Sequence, residues 1–158
     1  MSRPTAVPAG PVLLSAPLRQ LPLAAGRWLE HAYLKPMPFA DYPELASAGI
    51  VSGIYLVTDH LKRVRWLGQA SRDDDLIARL GEHSADPAKA KVFITLRVLH
   101  LLDLTPPDTI NAIEGRCADV LGLRRTMGVR RWPRAENWLE RVSLRAHIGC
   151  RRAAGVSR

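Results

Sequence analysis

Residues 50–69, IVSGIYLVTDHLKRVRWLGQ, decide the fold. The run 50–58, IVSGIYLVT, is β-branched and aromatic, the composition of a buried strand. Asp59, His60 and Lys62 form a polar turn. In 63–69, RVRWLGQ, Val64, Trp66 and Gly68 alternate with Arg63, Arg65 and Leu67, which predicts a second strand. So short a link makes the pair an antiparallel hairpin, with Tyr55 close to the Trp66–Gly68 stretch.

Downstream, Leu76, Ile77 and Leu80 give the apolar face of a helix running to about His83, with Asp73 or Asp74 as its cap. A loop over 84–90 follows, and then 91–102, KVFITLRVLHLL, reads as a central strand. Pro106 and Pro107 stop it. A second helix, capped by Asp108 and ended by Gly122, carries Ile110, Ile113, Cys117 and Val120 at helical spacing. The stretch 124–134 holds five arginines and one tryptophan, and 135–146 reads as a last helix. The expected fold is an α/β sandwich around a small, largely antiparallel three-stranded sheet flanked by helices.

Upstream, Pro4, Pro8, Pro11, Pro17 and Pro22 are dense enough to argue against helix and sheet, so 1–25 is expected to be a flexible tail. Residues 26–48 form an extension, with a short helix over 26–34 around Trp28, Leu29 and Tyr33 and a loop marked by Pro36, Pro38 and Pro43. The domain proper is 49–140, and 141–158 is a basic tail.

The 158 residues carry a formal charge of +8, from 23 Lys+Arg against 15 Asp+Glu, which suits a polyanionic partner. No apolar run approaches the roughly 18 residues of a membrane span. Pro17, Arg19 and Pro22 interrupt the one stretch resembling a signal-peptide core. The expectation is a soluble, cytoplasmic protein with no membrane partner. Cys117 and Cys150 lack zinc-like spacing and read as reduced thiols, with a single disulfide as the alternative.

Several residues are placed for chemistry. Arg79 and His83, four apart, share one helix face. A guanidinium there can grip phosphate oxygens and an imidazole can move a proton. Glu114 projects beside an apolar stripe, where a carboxylate needs a cation or donor. Mg²⁺ or Mn²⁺ can be held by one such carboxylate plus water, and a salt bridge to arginine is the alternative. Lys62, Arg63, Arg72, Arg124, Arg125, Arg130 and Arg131 are candidate nucleic-acid contacts. Trp132, among the arginines, could stack on a base.

Together these residues resemble the GIY-YIG nuclease superfamily over about 49–140. Gly53-Ile54-Tyr55 matches its first motif, and after ten intervening residues (56–65) Trp66-Leu67-Gly68 stands where the second belongs. Arg79 matches the family's helical arginine, His83 the histidine some members carry one turn on, Glu114 the metal-binding glutamate, and Asn137 a later asparagine. The chain departs in having Trp66 where the family has tyrosine, and a longer stretch between Gly68 and Arg79. An indole donates one N–H but has no hydroxyl to relay a proton.

The resemblance implies a metal-dependent endonuclease acting on DNA, with RNA as the alternative substrate. In it Tyr55, Arg79, His83 and Glu114 do the chemistry, and Trp66 packs or donates. Other readings stay open: a catalytically inactive module binding nucleic acid or protein, a toxin or effector nuclease, a restriction-type enzyme as the Arg79/His83 pair suggests, and a structural protein outside this family.

Overall fold

The computed structural model describes residues 7–72, 75–127 and 132–143. Its centre is the expected hairpin. Strands β1 (Leu29–Pro38), β2 (Ser52–Thr58), β3 (Val64–Ala70) and β4 (Thr95–Leu101) form one antiparallel sheet in the order β1-β4-β2-β3. Tyr55 pairs with Gly68 and Val57 with Trp66, so the alternation in the sequence sets the register.

Asp59 clasps the turn. One carboxylate oxygen accepts from the Leu61 and Arg63 amides at 2.9 Å each; the other accepts from Arg65 Nε at 2.8 Å and Arg63 Nε at 3.0 Å. Burial by itself would raise this carboxyl, but the bonds from Arg65, Arg63 and Leu61 outweigh it and hold the pKa at about 2. A depressed folded-state pKa stabilises above the unfolded value near 3.8 and is lost as pH falls toward 2. Asp59→Asn should therefore destabilise the protein at pH 7 by about 2 kcal/mol and flatten the loss of stability between pH 4 and 2, read from urea midpoints. An unchanged acid profile would exclude the clasp.

The sheet has four strands where three were expected. Residues 26–34 are not a helix: a 3₁₀ turn over Gly26–Trp28 leads directly into β1. β4 would otherwise present an open edge, and β1 covers it. An edge strand tolerates proline, and the register breaks between Tyr33 and Met37 admit Pro36. The expected loop around Pro43 is a 3₁₀ helix, Phe39–Ala48.

The proline-rich start is also structured. Residues 10–13 lie along the free edge of the hairpin, where Gly10 N and Leu13 N donate to Val64 O and Lys62 O at 2.7 Å, and Val64 N donates to Pro11 O at 2.9 Å. Pro11 lacks a donor, but its carbonyl serves. Helix α1 (Ser15–Ala25) follows and contains Pro17 and Pro22. Pro17 lies in the first turn, where no N–H is needed. Pro22 costs roughly 3 kcal/mol, offset by burying Leu21, Ala24 and Ala25.

α2 (Leu76–Ala85) is capped by Asp75, whose carboxylate accepts from Ala78 N at 3.3 Å; Asp73 and Asp74 lie outside the described residues. The expected loop over 84–90 becomes a helix at Asp86: α3 (Pro87–Val92) has Asp86 accepting from Ala88 N at 3.0 Å and proline at its first position. β4 accordingly starts at Thr95 rather than 91. α4 (Pro107–Leu121) begins with Pro106, not Asp108, at the cap and ends as expected on left-handed Gly122, φ 70°. α5 (Leu123–Thr126) and α6 (Trp138–Val142) are short.

Each sheet face carries a core. Ile54, Leu56, Leu67 and Leu99 pack with Leu21 and Ala24 of α1 and Ile110, Ile113 and Cys117 of α4. Tyr55, Val57, Leu96 and Val98 pack with Leu76 and Leu80 of α2, Phe39 and Phe93. Among the described residues no helix is long and apolar enough to cross a membrane.

Candidate active site

Tyr55 is wholly buried, and its ring lies over Gly68: a Cβ at that glycine would collide with Tyr55 Cζ and Oη. Only hydrogen at position 68 leaves room for the ring. Tyr55 Oη stands 3.0 Å from His83 Nε2. His83, near the end of α2 and 6% exposed, has its other ring nitrogen 2.9 Å from Lys89 Nζ on α3. The Lys89 ammonium also sits 4.2 Å from the centre of the Trp66 ring. Trp66 meets His83 edge to face at 4.9 Å, and Phe93 packs against both. The fold thus gathers Tyr55, Trp66, His83 and Lys89 on one face of the hairpin.

Sequence reasoning missed Lys89 because 84–90 read as a loop. The signal was Asp86-Pro87, a cap followed by a first-turn proline, which starts a helix just after His83. Arg79 lies one turn before His83 on the same face of α2, with its Nε shielded from solvent.

Glu114 is 1% exposed. Its neighbours on α4 (Ile110, Ile113, Cys117) belong to the core on the opposite sheet face from Tyr55. Both α2 and α4 contact β3, the edge strand of the sheet. The helices that carry Arg79 and Glu114 therefore lie against this strand from opposite faces of the sheet. Burial pushes the free Cys117 thiol far up, and the Glu114 charge adds to the effect; Cys150 lies outside the described residues.

Among the described residues no three His, Cys, Asp or Glu side chains are grouped to hold a metal. Glu114 is a carboxylate, the hard oxygen donor that Mg²⁺ or Mn²⁺ takes when water and substrate supply the other ligands.

The basic residues divide. Lys62, Arg72 and Arg125 are exposed, Lys62 with a left-handed φ of 64° in the turn. Arg63 is engaged by Asp59. Arg124 is a brace: its Nε pairs with Asp119 at 2.6 Å, while its terminal nitrogens donate to the carbonyls of Trp132, Gly115 and Pro133. Arg130 and Arg131 lie outside the described residues.

Trp132 is not a stacking platform. It is 5% exposed within the core, and its indole N–H donates to Leu67 O at 3.3 Å. Asn137 is exposed, with φ 56°, at the start of α6. It adjoins Trp138, which packs against the α4-side core, so it stands away from the Tyr55 cluster. A cleft of about 520 Å³ opens elsewhere, lined by Trp28, Glu30, His100 and Asp103 among others.

No protein-family model, curated protein or solved structure matches this chain.

Proposed function

We propose that this chain hydrolyses phosphodiester bonds in nucleic acid, DNA before RNA, as a divalent-metal-dependent endonuclease. The observation that carries this reading is the buried contact of Tyr55 with His83 across Gly68, at the tyrosine of the first motif and the glycine of the second. A buried phenol needs a partner for its hydroxyl, and here the partner is an imidazole, a group able to move a proton, at 3.0 Å. The +8 charge suits the same substrate class.

Each side chain has one role. Tyr55, as a phenolate, takes up the proton of the attacking water, and His83 bonds the same phenolic oxygen. Arg79 balances the charge that grows on the phosphoryl oxygens. Trp66 holds the ring of His83 and does not exchange protons. Glu114 is the metal ligand. When bound there, Mg²⁺ or Mn²⁺ supplies stabilisation of the leaving 3′ oxygen.

Tyr55 and Glu114 are closed to solvent, so substrate has to part the surface over them. That closure, with Trp66 in the tyrosine position, also favours the second reading: a module of the same fold that binds nucleic acid without cutting it.

Supercoiled plasmid separates the two. With Mg²⁺ or Mn²⁺ the purified chain is expected to nick or linearise it, and EDTA should stop the reaction. Salt-sensitive binding to DNA or RNA without cleavage would leave the binding module. Absence of both would remove nucleic acid as the substrate.

A further inference from the structure

Lys89 plays no part in the function argued so far, yet it touches the site from an element, α3, that contributes nothing else to it. Its Nζ lies 2.9 Å from His83 Nδ1, and His83 Nε2 lies 3.0 Å from Tyr55 Oη. The Trp66 ring stands 4.2 Å below the same ammonium. An indole face attracts a cation more strongly than any other side chain's ring, so it favours Lys89 in the charged form.

An ammonium has three donors and no acceptor. A bond between Lys89 and His83 Nδ1 therefore runs from the lysine to the imidazole, and Nδ1 must carry a lone pair. The ring proton of neutral His83 is then on Nε2, and it points at Tyr55 Oη. We propose that Lys89 is a positioning residue: it fixes the His83 proton on Nε2 and makes the Tyr55 oxygen an acceptor.

The consequence is directional. A donor aimed at the phenolic oxygen stabilises negative charge on it, and the hydroxyl proton of Tyr55 turns away from the imidazole. Without Lys89 the imidazole can equally take its proton on Nδ1 and accept from Tyr55, which reverses the polarity of the pair. Trp66 acquires a reason as well. An indole in place of a phenol loses a hydroxyl but provides the platform that docks Lys89 on His83.

This inference extends the proposed nuclease reading, but its primary test does not depend on cleavage. Long-range ¹H–¹⁵N spectra of the full chain labelled at its five histidines, with His83 assigned by His83→Gln, report which ring nitrogen carries the proton. In the unsubstituted protein at pH 8 the proton is expected on Nε2. Lys89→Glu replaces a donor with an acceptor and should move it to Nδ1, whereas Lys89→Arg should leave it in place. Lys89→Met should shift the Nδ1 resonance toward that of an unbonded nitrogen. A proton on Nδ1 in the unsubstituted protein would overturn the inference, as would spectra unchanged in folded Lys89→Glu or Lys89→Met.

If the plasmid is cut, Lys89→Glu should slow nicking by about a hundredfold, and Lys89→Arg should restore most of the rate. If nothing is cut, the nuclease reading fails while the tautomer still decides the role of Lys89.

Discussion

Gly68→Ala is expected to destabilise the fold by about 3 kcal/mol and to separate Tyr55 from His83. The new Cβ would fall on Cζ, Cε2 and Oη of Tyr55. These atoms belong to a rigid ring with no exposed surface, whose hydroxyl is held by His83. The ring can escape only by leaving the core, or β3 by leaving its register with β2. Urea denaturation reads the loss as a lower midpoint at unchanged slope.

Gly49→Ala is the comparison. Its Cβ would meet nothing within 4 Å, so only its left-handed φ of 66° is charged against it, about 1 kcal/mol. Equal midpoints for the two variants would mean that Tyr55 is not held over β3, and the geometry of the site would fall with it.

Glu114→Gln is expected to lower plasmid nicking at least a hundredfold, in line with removal of a preorganised charge from a reacting centre, about 10²-fold or more. The amide keeps the size and shape of the acid in a helix segment where Ile110, Ile113 and Cys117 leave little slack. The loss should therefore occur with helix content retained by circular dichroism. Added Mn²⁺ should not rescue it, because an amide oxygen is a poor substitute for a carboxylate toward a hard cation. A folded Glu114→Gln that cuts at the original rate would remove Glu114 from the chemistry and with it the proposed metal position.

Much of this arrangement is local in origin and so was readable in the chain. The period-two pattern through 50–69 set the hairpin and paired Tyr55 with Gly68. The four-residue spacing of Arg79 and His83 put them on one face of α2. The stripe of Ile110, Ile113 and Cys117 placed Glu114 inside α4, and Gly122 ended that helix. Such features follow from backbone geometry over one or two turns.

Other features follow from what remote segments need from each other. LEHAYLKPMP has neither a clean alternation nor the composition of a strand, and it becomes β1 because β4 had an edge to cover. Prolines that argue for a loose tail are carried in α1 because Leu21 and Ala24 find a core across from α4. Trp132 and Arg124 look like a nucleic-acid surface when read with their neighbours. In the fold they are a core side chain and a brace for carbonyls, because 132–135 lies against α4 at Gly115.

The sequence by itself determined the hairpin and the helix faces that carry Arg79, His83 and Glu114, because periodicity acts between near neighbours. Only the tertiary structure decided that Lys89 reaches His83, that Glu114 and Tyr55 stand on opposite faces of one sheet, and which arginines are occupied. The placing of Glu114 and Tyr55 depends on edges that must be paired and interiors that must be filled between segments far apart in the chain, as between Leu67 and Trp132, 65 residues apart. No local pattern encodes such distant demands.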